Sequence, residues 1–94
     1  MRLIWSDQAI TDLETLRSYI AKDKPDAAKS VVVRILELAE SLIDQPGLGR
    51  PGRVLGTREL IVPNTPYIIP YRERKNRIEI IRVLHGSMRW PEKF

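Results

Sequence analysis

Residues 25–62 read PDAAKSVVVRILELAESLIDQPGLGRPGRVLGTRELIV, and the fold is decided inside this stretch. Ala28, Val31, Val32, Ile35, Leu38, Ala39 and Leu42 recur at helical spacing and form a broad apolar stripe. Pro25 suits the first turn of that helix, where its missing N–H costs nothing. Pro46-Gly47 ends the pattern. Leu48 to Leu55 holds two Gly, one Pro and two Arg and reads as an exposed loop. From Thr57 to Val62 the period becomes two, with Arg58, Leu60 and Val62 on one face and Glu59 and Ile61 on the other. The chain thus changes once, near residue 46, from helix to strand.

Upstream, Arg2 to Trp5 is a short extended segment, and Ser6 is placed to cap a helix with Asp7 in its first turn. Ile10, Leu13, Leu16, Arg17 and Ile20 follow at helical spacing, and this helix should end near Lys22. About three residues separate the two helices, which predicts an antiparallel hairpin. Downstream, Pro63-Asn64-Thr65-Pro66 is a turn, Tyr67 to Arg72 a strand, Arg74 to Arg77 a charged hairpin tip, and Ile78 to Leu84 a last strand. Pro70 inside its strand implies an edge, a bulge or an early end to pairing. The order β-α-α-β-β-β predicts one two-layer α+β domain over residues 1–94. The αα-hairpin packs on one face of a mostly antiparallel sheet, and the other face is partly open. Burying about a dozen Leu, Ile and Val side chains at ~1.5–3 kcal/mol each suffices for such a domain with little margin.

The chain has 94 residues, 16 Lys+Arg and 12 Asp+Glu, a formal net charge of +4 and a pI of about 9.8. With no cysteine and one histidine, a disulfide scaffold, a thiol nucleophile and Cys- or His-rich metal sites are excluded, and no cofactor is expected. No segment approaches the roughly 20 apolar residues of a membrane helix, and Arg2 to Asp7 has no apolar signal core. A soluble, cytoplasmic protein is the expectation. Residues 1–47 hold 6 basic and 8 acidic side chains, whereas residues 48–94 hold 10 basic and 4 acidic. Eight of those ten are arginine, whose planar fork of donors matches phosphate and carboxylate. The strand half therefore either meets a polyanionic partner or is simply a solvated basic face.

His85 is the only side chain that titrates near neutrality in its unperturbed state, and Arg82 and Arg89 flank it. It suits an acid or base beside a phosphate; the plainer reading is a strand cap, or packing on Trp90. Arg58, Arg72 and Arg82 come from three strands and, if they converge, stabilise an anionic transition state; otherwise they pair with Glu59, Glu73 or Glu79. Trp90 and Tyr71 could stack on a base, or Trp90 could close over the sheet.

The chain resembles the RelE/ParE superfamily of toxins from bacterial type II toxin–antitoxin systems along essentially its whole length. The resemblance is carried by Ile4-Trp5-Ser6, by the helical hairpin with Ala27-Ala28, by Gly49-Arg50-Pro51-Gly52 and Gly56 to Val62, by Tyr67 to Arg72, and above all by Ile80 to Pro91 with its His-x-x-x-Arg-aromatic-Pro ending. RelE-like members cleave mRNA in the ribosomal A site without a metal, using Lys or Arg with a C-terminal Tyr or His. ParE-like members poison DNA gyrase and lack that set. Here the loop before Thr57 holds Arg50 and Arg53 but no lysine, no tyrosine follows Tyr71, and residues 45–55 contain no glutamate, which resembles ParE.

The resemblance implies a non-enzymatic gyrase poison neutralised by a cognate acidic antitoxin, which alone contacts operator DNA. Arg50, Arg53, Arg89, Trp90 and Tyr71 are the expected contacts to target or antitoxin. The alternative is a ribosome-dependent mRNA endonuclease with His85, Arg82, Arg58 and Arg72 as its catalytic set. A non-toxic remnant that only binds antitoxin is a further possibility. The basic half predicts that antitoxin affinity weakens with added salt without vanishing, as a salt series by calorimetry would show; salt-independent affinity would mean a mainly apolar contact.

Overall fold

The computed structural model covers residues 1–94. Its elements are β1 (Arg2–Trp5), α1 (Asp7–Ala21), α2 (Pro25–Ser41), β2 (Arg50–Pro51), β3 (Arg58–Ile61), β4 (Tyr67–Arg74), β5 (Arg77–Ile80) and β6 (Leu84–His85). The sheet order is β1-β5-β4-β3-β2, with β6 also on β4. All pairs are antiparallel except β1 with β5, which run parallel with Arg2 opposite Arg77 and Trp5 opposite Ile80. The α+β architecture expected from the period change is the one observed.

Ser6 joins the layers. Its Oγ accepts the Ala9 N–H at 3.0 Å as helix cap and donates to the Ile81 carbonyl at 2.7 Å. Its own N–H donates to the Ile80 carbonyl. Ala9 and Leu16 of α1, Ile35 and Ala39 of α2 and the adjoining Leu42 pack on Leu60, Val62, Tyr67, Ile69, Tyr71, Ile78, Ile80 and Val83. Within α1 the inward residue of the first turn is Ala9, not the expected Ile10, which is exposed together with Arg17. A small residue lets the helix start close to the strand to which Ser6 ties it.

Two expectations need correction. Leu48 to Leu55 is not a free loop, because Arg50–Pro51 pairs with β3 and both Gly49 and Val54 are buried. The Tyr71 hydroxyl accepts the Gly49 N–H and donates to the Pro46 carbonyl, each at 2.8 Å. A Cβ on Gly49 would lie 2.7 Å from the Tyr71 ring, so only glycine allows this approach.

The last strand is also not continuous. Between Tyr71 opposite Ile80 and Ile68 opposite Leu84, β4 advances three residues while its partner advances four. The extra residue is a bulge, at which the Pro70 carbonyl accepts both Ile81 N–H (3.0 Å) and Arg82 N–H (3.5 Å). In a strand the N and C=O of one residue point to the same side, so the missing N–H of Pro70 faces this interruption. That is how a proline sits in a central strand. The bulge reverses alternation: Leu84, expected beside Ile78 and Ile80, lies opposite Ile68 on the other face, and His85 turns to the helix side opposite Tyr67. At the β4–β5 turn, Lys75 and Asn76 both have positive φ (52° and 60°), as a two-residue hairpin turn requires.

Replacing Tyr71 with Phe leaves the buried Gly49 N–H and the Pro46 carbonyl without their partner. It should lower stability by about 1–3 kcal/mol in chemical denaturation, with no change in the far-UV spectrum.

Candidate functional site

A groove of about 680 Å³ lies on the helix side. Asp12, Leu16 and Tyr19 of α1, Val31 of α2, Tyr67 of β4 and His85 of β6 are among the residues that line it. Tyr19 and Met88 are exposed at its rim, so the groove offers apolar surface to solvent. Burial is the main reason that the Tyr67 hydroxyl pKa is pushed up, and the nearby Tyr19 adds to it.

Beside it, the Asp12 carboxylate takes three donors: Arg82 Nε at 2.7 Å, Arg82 Nη2 at 3.1 Å and the Val83 N–H at 3.0 Å. The bulge removes Val83 N–H from the ladder, and Asp12 satisfies it. The paired guanidinium is held more firmly protonated, chiefly by its hydrogen bond to Asp12. Arg82 is therefore paired as expected of an arginine on an apolar face, but with Asp12 rather than with Glu59, Glu73 or Glu79.

His85 packs edge-on to Tyr67, with ring centroids 5.6 Å apart. Its Nδ1 receives the Ser87 N–H at 3.1 Å and lies 2.7 Å from Ser87 Oγ. A main-chain N–H can only donate, so Nδ1 accepts and the neutral ring carries its proton on Nε2. The one lone pair able to take a proton is thus turned back onto the chain.

The other arginines do not join it. Arg58 lies opposite Tyr71 on the helix-side face, where it donates to the Gly49 carbonyl at 2.7 Å. Arg72 lies opposite Glu79 on the other face, with Nε 2.7 Å from Glu79 Oε1. Arg77 takes the second oxygen of Glu79, and these two hydrogen bonds, Arg72's first, hold its carboxyl pKa below the ordinary range. The structure does not bring His85, Arg82, Arg58 and Arg72 together.

A second cluster gathers three of the expected contact residues. Glu59 is buried and binds Arg50 Nη2 at 3.2 Å and the Arg53 N–H at 2.7 Å. The Arg53 guanidinium stacks 3.9 Å from the centre of the Trp90 ring, and the Trp90 indole N–H reaches the His85 carbonyl. The C-terminal tail is thereby tied to the β2–β3 loop. Tyr71 is fully buried and presents nothing to a partner; burial is the main cause of its raised pKa. Arg89 is exposed with no ion pair or side-chain hydrogen bond. Asp12 carried no signal in the sequence beyond its place on the polar side of a helix. No helix is long and apolar enough to cross a membrane, and no group of three His, Cys, Asp or Glu is placed to hold a metal.

A helical hairpin packed on a mixed, mostly antiparallel sheet is the fold expected of a small toxin of the RelE/ParE superfamily. Residues 3–90 match the family model described as ParE toxin of type II toxin-antitoxin system, parDE. The chain belongs to this family and is a toxin of a type II toxin–antitoxin system, which implies a cognate antitoxin as partner. It is 44% identical to Y4kP of Sinorhizobium fredii, which carries a provisional toxin name, over 97% of this chain and 94% of that protein. Toxin RelE2 of Caulobacter vibrioides is 30% identical over 92% of this chain and 96% of its own length. A chain of the chromosomal ParDE TA system from P. aeruginosa superposes with a TM-score of 0.84 at 29% identity, covering 93% and 97% of the two chains.

Asp12→Ala strips a half-buried guanidinium and the Val83 N–H of their partner and should cost about 2–3 kcal/mol. Thermal unfolding should show a midpoint lower by about 10 °C, whereas Arg89→Ala should stay within about 0.5 kcal/mol.

Proposed function

We propose that this toxin acts by binding rather than by cutting, with DNA gyrase as its target, and that its antitoxin silences it by occupying the groove along α1. The observation that carries this reading is the commitment of the would-be nuclease residues. Arg82 is held by Asp12, Arg72 by Glu79, Arg58 by the Gly49 carbonyl, and the His85 lone pair by Ser87. Metal-independent cleavage of RNA by attack of a 2′-OH needs a base with a free lone pair and cations converging on one phosphate. Neither is assembled. The family to which the chain belongs supports a gyrase target in the same direction.

The groove suits an antitoxin segment that folds on binding. Its apolar lining supplies area, and the basic strand half supplies a field for an acidic chain. The second reading is ribosome-dependent mRNA cleavage, kept by the likeness to a relative named Toxin RelE2 and by the position of His85 on the groove.

Purified toxin in excess over gyrase should block supercoiling of relaxed plasmid and accumulate cleaved DNA, and prior mixing with antitoxin should abolish both effects. An uninhibited gyrase would count against the proposal. Codon-positioned cuts by primer extension in cells expressing the toxin, lost in His85→Ala, would move the assignment to the nuclease. Normal growth with abundant soluble toxin and no antitoxin would instead mark a binding remnant.

A further inference from the structure

The two ends of the sheet face away from the helices differ in their side chains. Toward β2, Arg50 and Arg53 converge on Glu59, and Ile68, Pro70 and Leu84 are buried. Toward β1 the register places Arg2 opposite Arg77 and Arg77 opposite Arg74. Alternation puts all three on this face, because the next residues, Leu3 and Ile78, belong to the core side. Three arginines thus stand side by side across three neighbouring strands, with Arg72 one step further along β4 and Lys75 at the adjoining turn.

Like charges directly opposite one another destabilise a sheet. Only one carboxylate, Glu79, stands among them, and it is shared by Arg72 and Arg77. Arg2 and Arg74 are exposed and make no ion pair or side-chain hydrogen bond. A row in which only Arg77 has a carboxylate partner, while Arg2 and Arg74 on either side have none, points to an anion that the protein meets outside itself. Glu73, the nearest other acid on β4, lies opposite Ile78 and so belongs to the other face.

We infer that the Arg2–Arg77–Arg74 row is a binding surface for the phosphate backbone of duplex DNA. Strands lie about 4.8 Å apart, so the row spans about 10 Å, on the scale of the roughly 12 Å width of the major groove. The guanidinium fork suits phosphate oxygens. Binding to single-stranded nucleic acid relies on aromatic side chains that stack on bases, and β1, β5 and β4 place none on this face: Trp5, Tyr67 and Tyr71 pack on the helix side. An antitoxin segment needs apolar area, which lies in the groove on the opposite side of the sheet. The two surfaces are therefore separate, and the inference stands whatever the toxin's target is.

The test is fluorescence anisotropy of the full chain with a labelled 20-bp duplex of arbitrary sequence, between about 50 and 200 mM salt. The expected logarithmic salt slope is about −3, since each neutralised phosphate contributes about −0.9. Arg2→Gln with Arg74→Gln should bring the slope to about −1 and weaken binding at least tenfold at the lowest salt. Arg2→Lys with Arg74→Lys should restore the slope. Lys29→Gln, on the exposed side of α2, should change neither. The Gln pair should melt no lower than the parent protein, because it removes repulsion, which separates lost contact from lost folding. Unchanged duplex binding by the Gln pair would overturn the inference. So would tighter binding of a single-stranded RNA of equal length, or loss confined to a polyglutamate peptide, which would assign the row to an acidic protein.

Discussion

The carboxylate of Asp12 is the contact on which the working end of this protein depends. It accepts two donors from Arg82 and one from the Val83 main chain, and so it holds helix α1 against the one irregular point in the sheet. The irregularity is forced from the other side by Pro70, which has no hydrogen to give at the place where the bulge opens. Without the bulge, Leu84 would face the helices and His85 would face away from them. With it, His85 pairs with Tyr67 on the groove and Leu84 pairs with Ile68. A single inserted residue therefore decides which side chains a partner meets, and one aspartate keeps that residue in place.

The layer arrangement was legible because it rests on period. The apolar stripe from Ala28 to Leu42 and the alternation after Thr57 are properties of short windows, and each is reproduced, whereas α2 ends at Ser41, ahead of the break read at Pro46-Gly47. Ser6 was legible for the same reason, since a cap is a local event. What could not be read was whatever depended on partners distant in the chain. The pairing of Asp12 with Arg82 joins residues 70 positions apart. The burial of Gly49 depends on Tyr71, and the face of Leu84 depends on a count of residues along two strands at once. Alternation alone fails at a bulge, because its premise is an unbroken ladder. Pro70 did signal some interruption, without saying which neighbour would bear it.

The candidate site divides along the same line. Arginines on otherwise apolar faces are correctly read as having a reason to be there, and for Arg72 and Arg82 the reason is a carboxylate. Their residue types suggested convergence on a phosphate, yet strand pairing sets Arg58 and Arg72 on opposite faces. Arg50, Arg53 and Trp90 do come together, through a buried glutamate and a stacked ring rather than through any motif. Chemistry-bearing residue types are visible in a sequence, while their commitments are set by register.

The parallel pairing of β1 with β5 has a consequence for how the protein is made. The first strand is finished at Trp5, but its neighbour is not complete until Ile80, and the hydroxyl that caps the first helix waits for the carbonyl of Ile81. Contacts of such sequence separation form late and slowly. During translation the helical hairpin can emerge and flicker, while the sheet beneath it has neither its central strand nor its edge. The groove exists only once its floor does. A ribosome synthesising this chain therefore carries a product without its groove at least until Ile80 and Ile81 have joined the sheet, and the interval before closure is one in which a partner already present can bind the chain as it first takes shape.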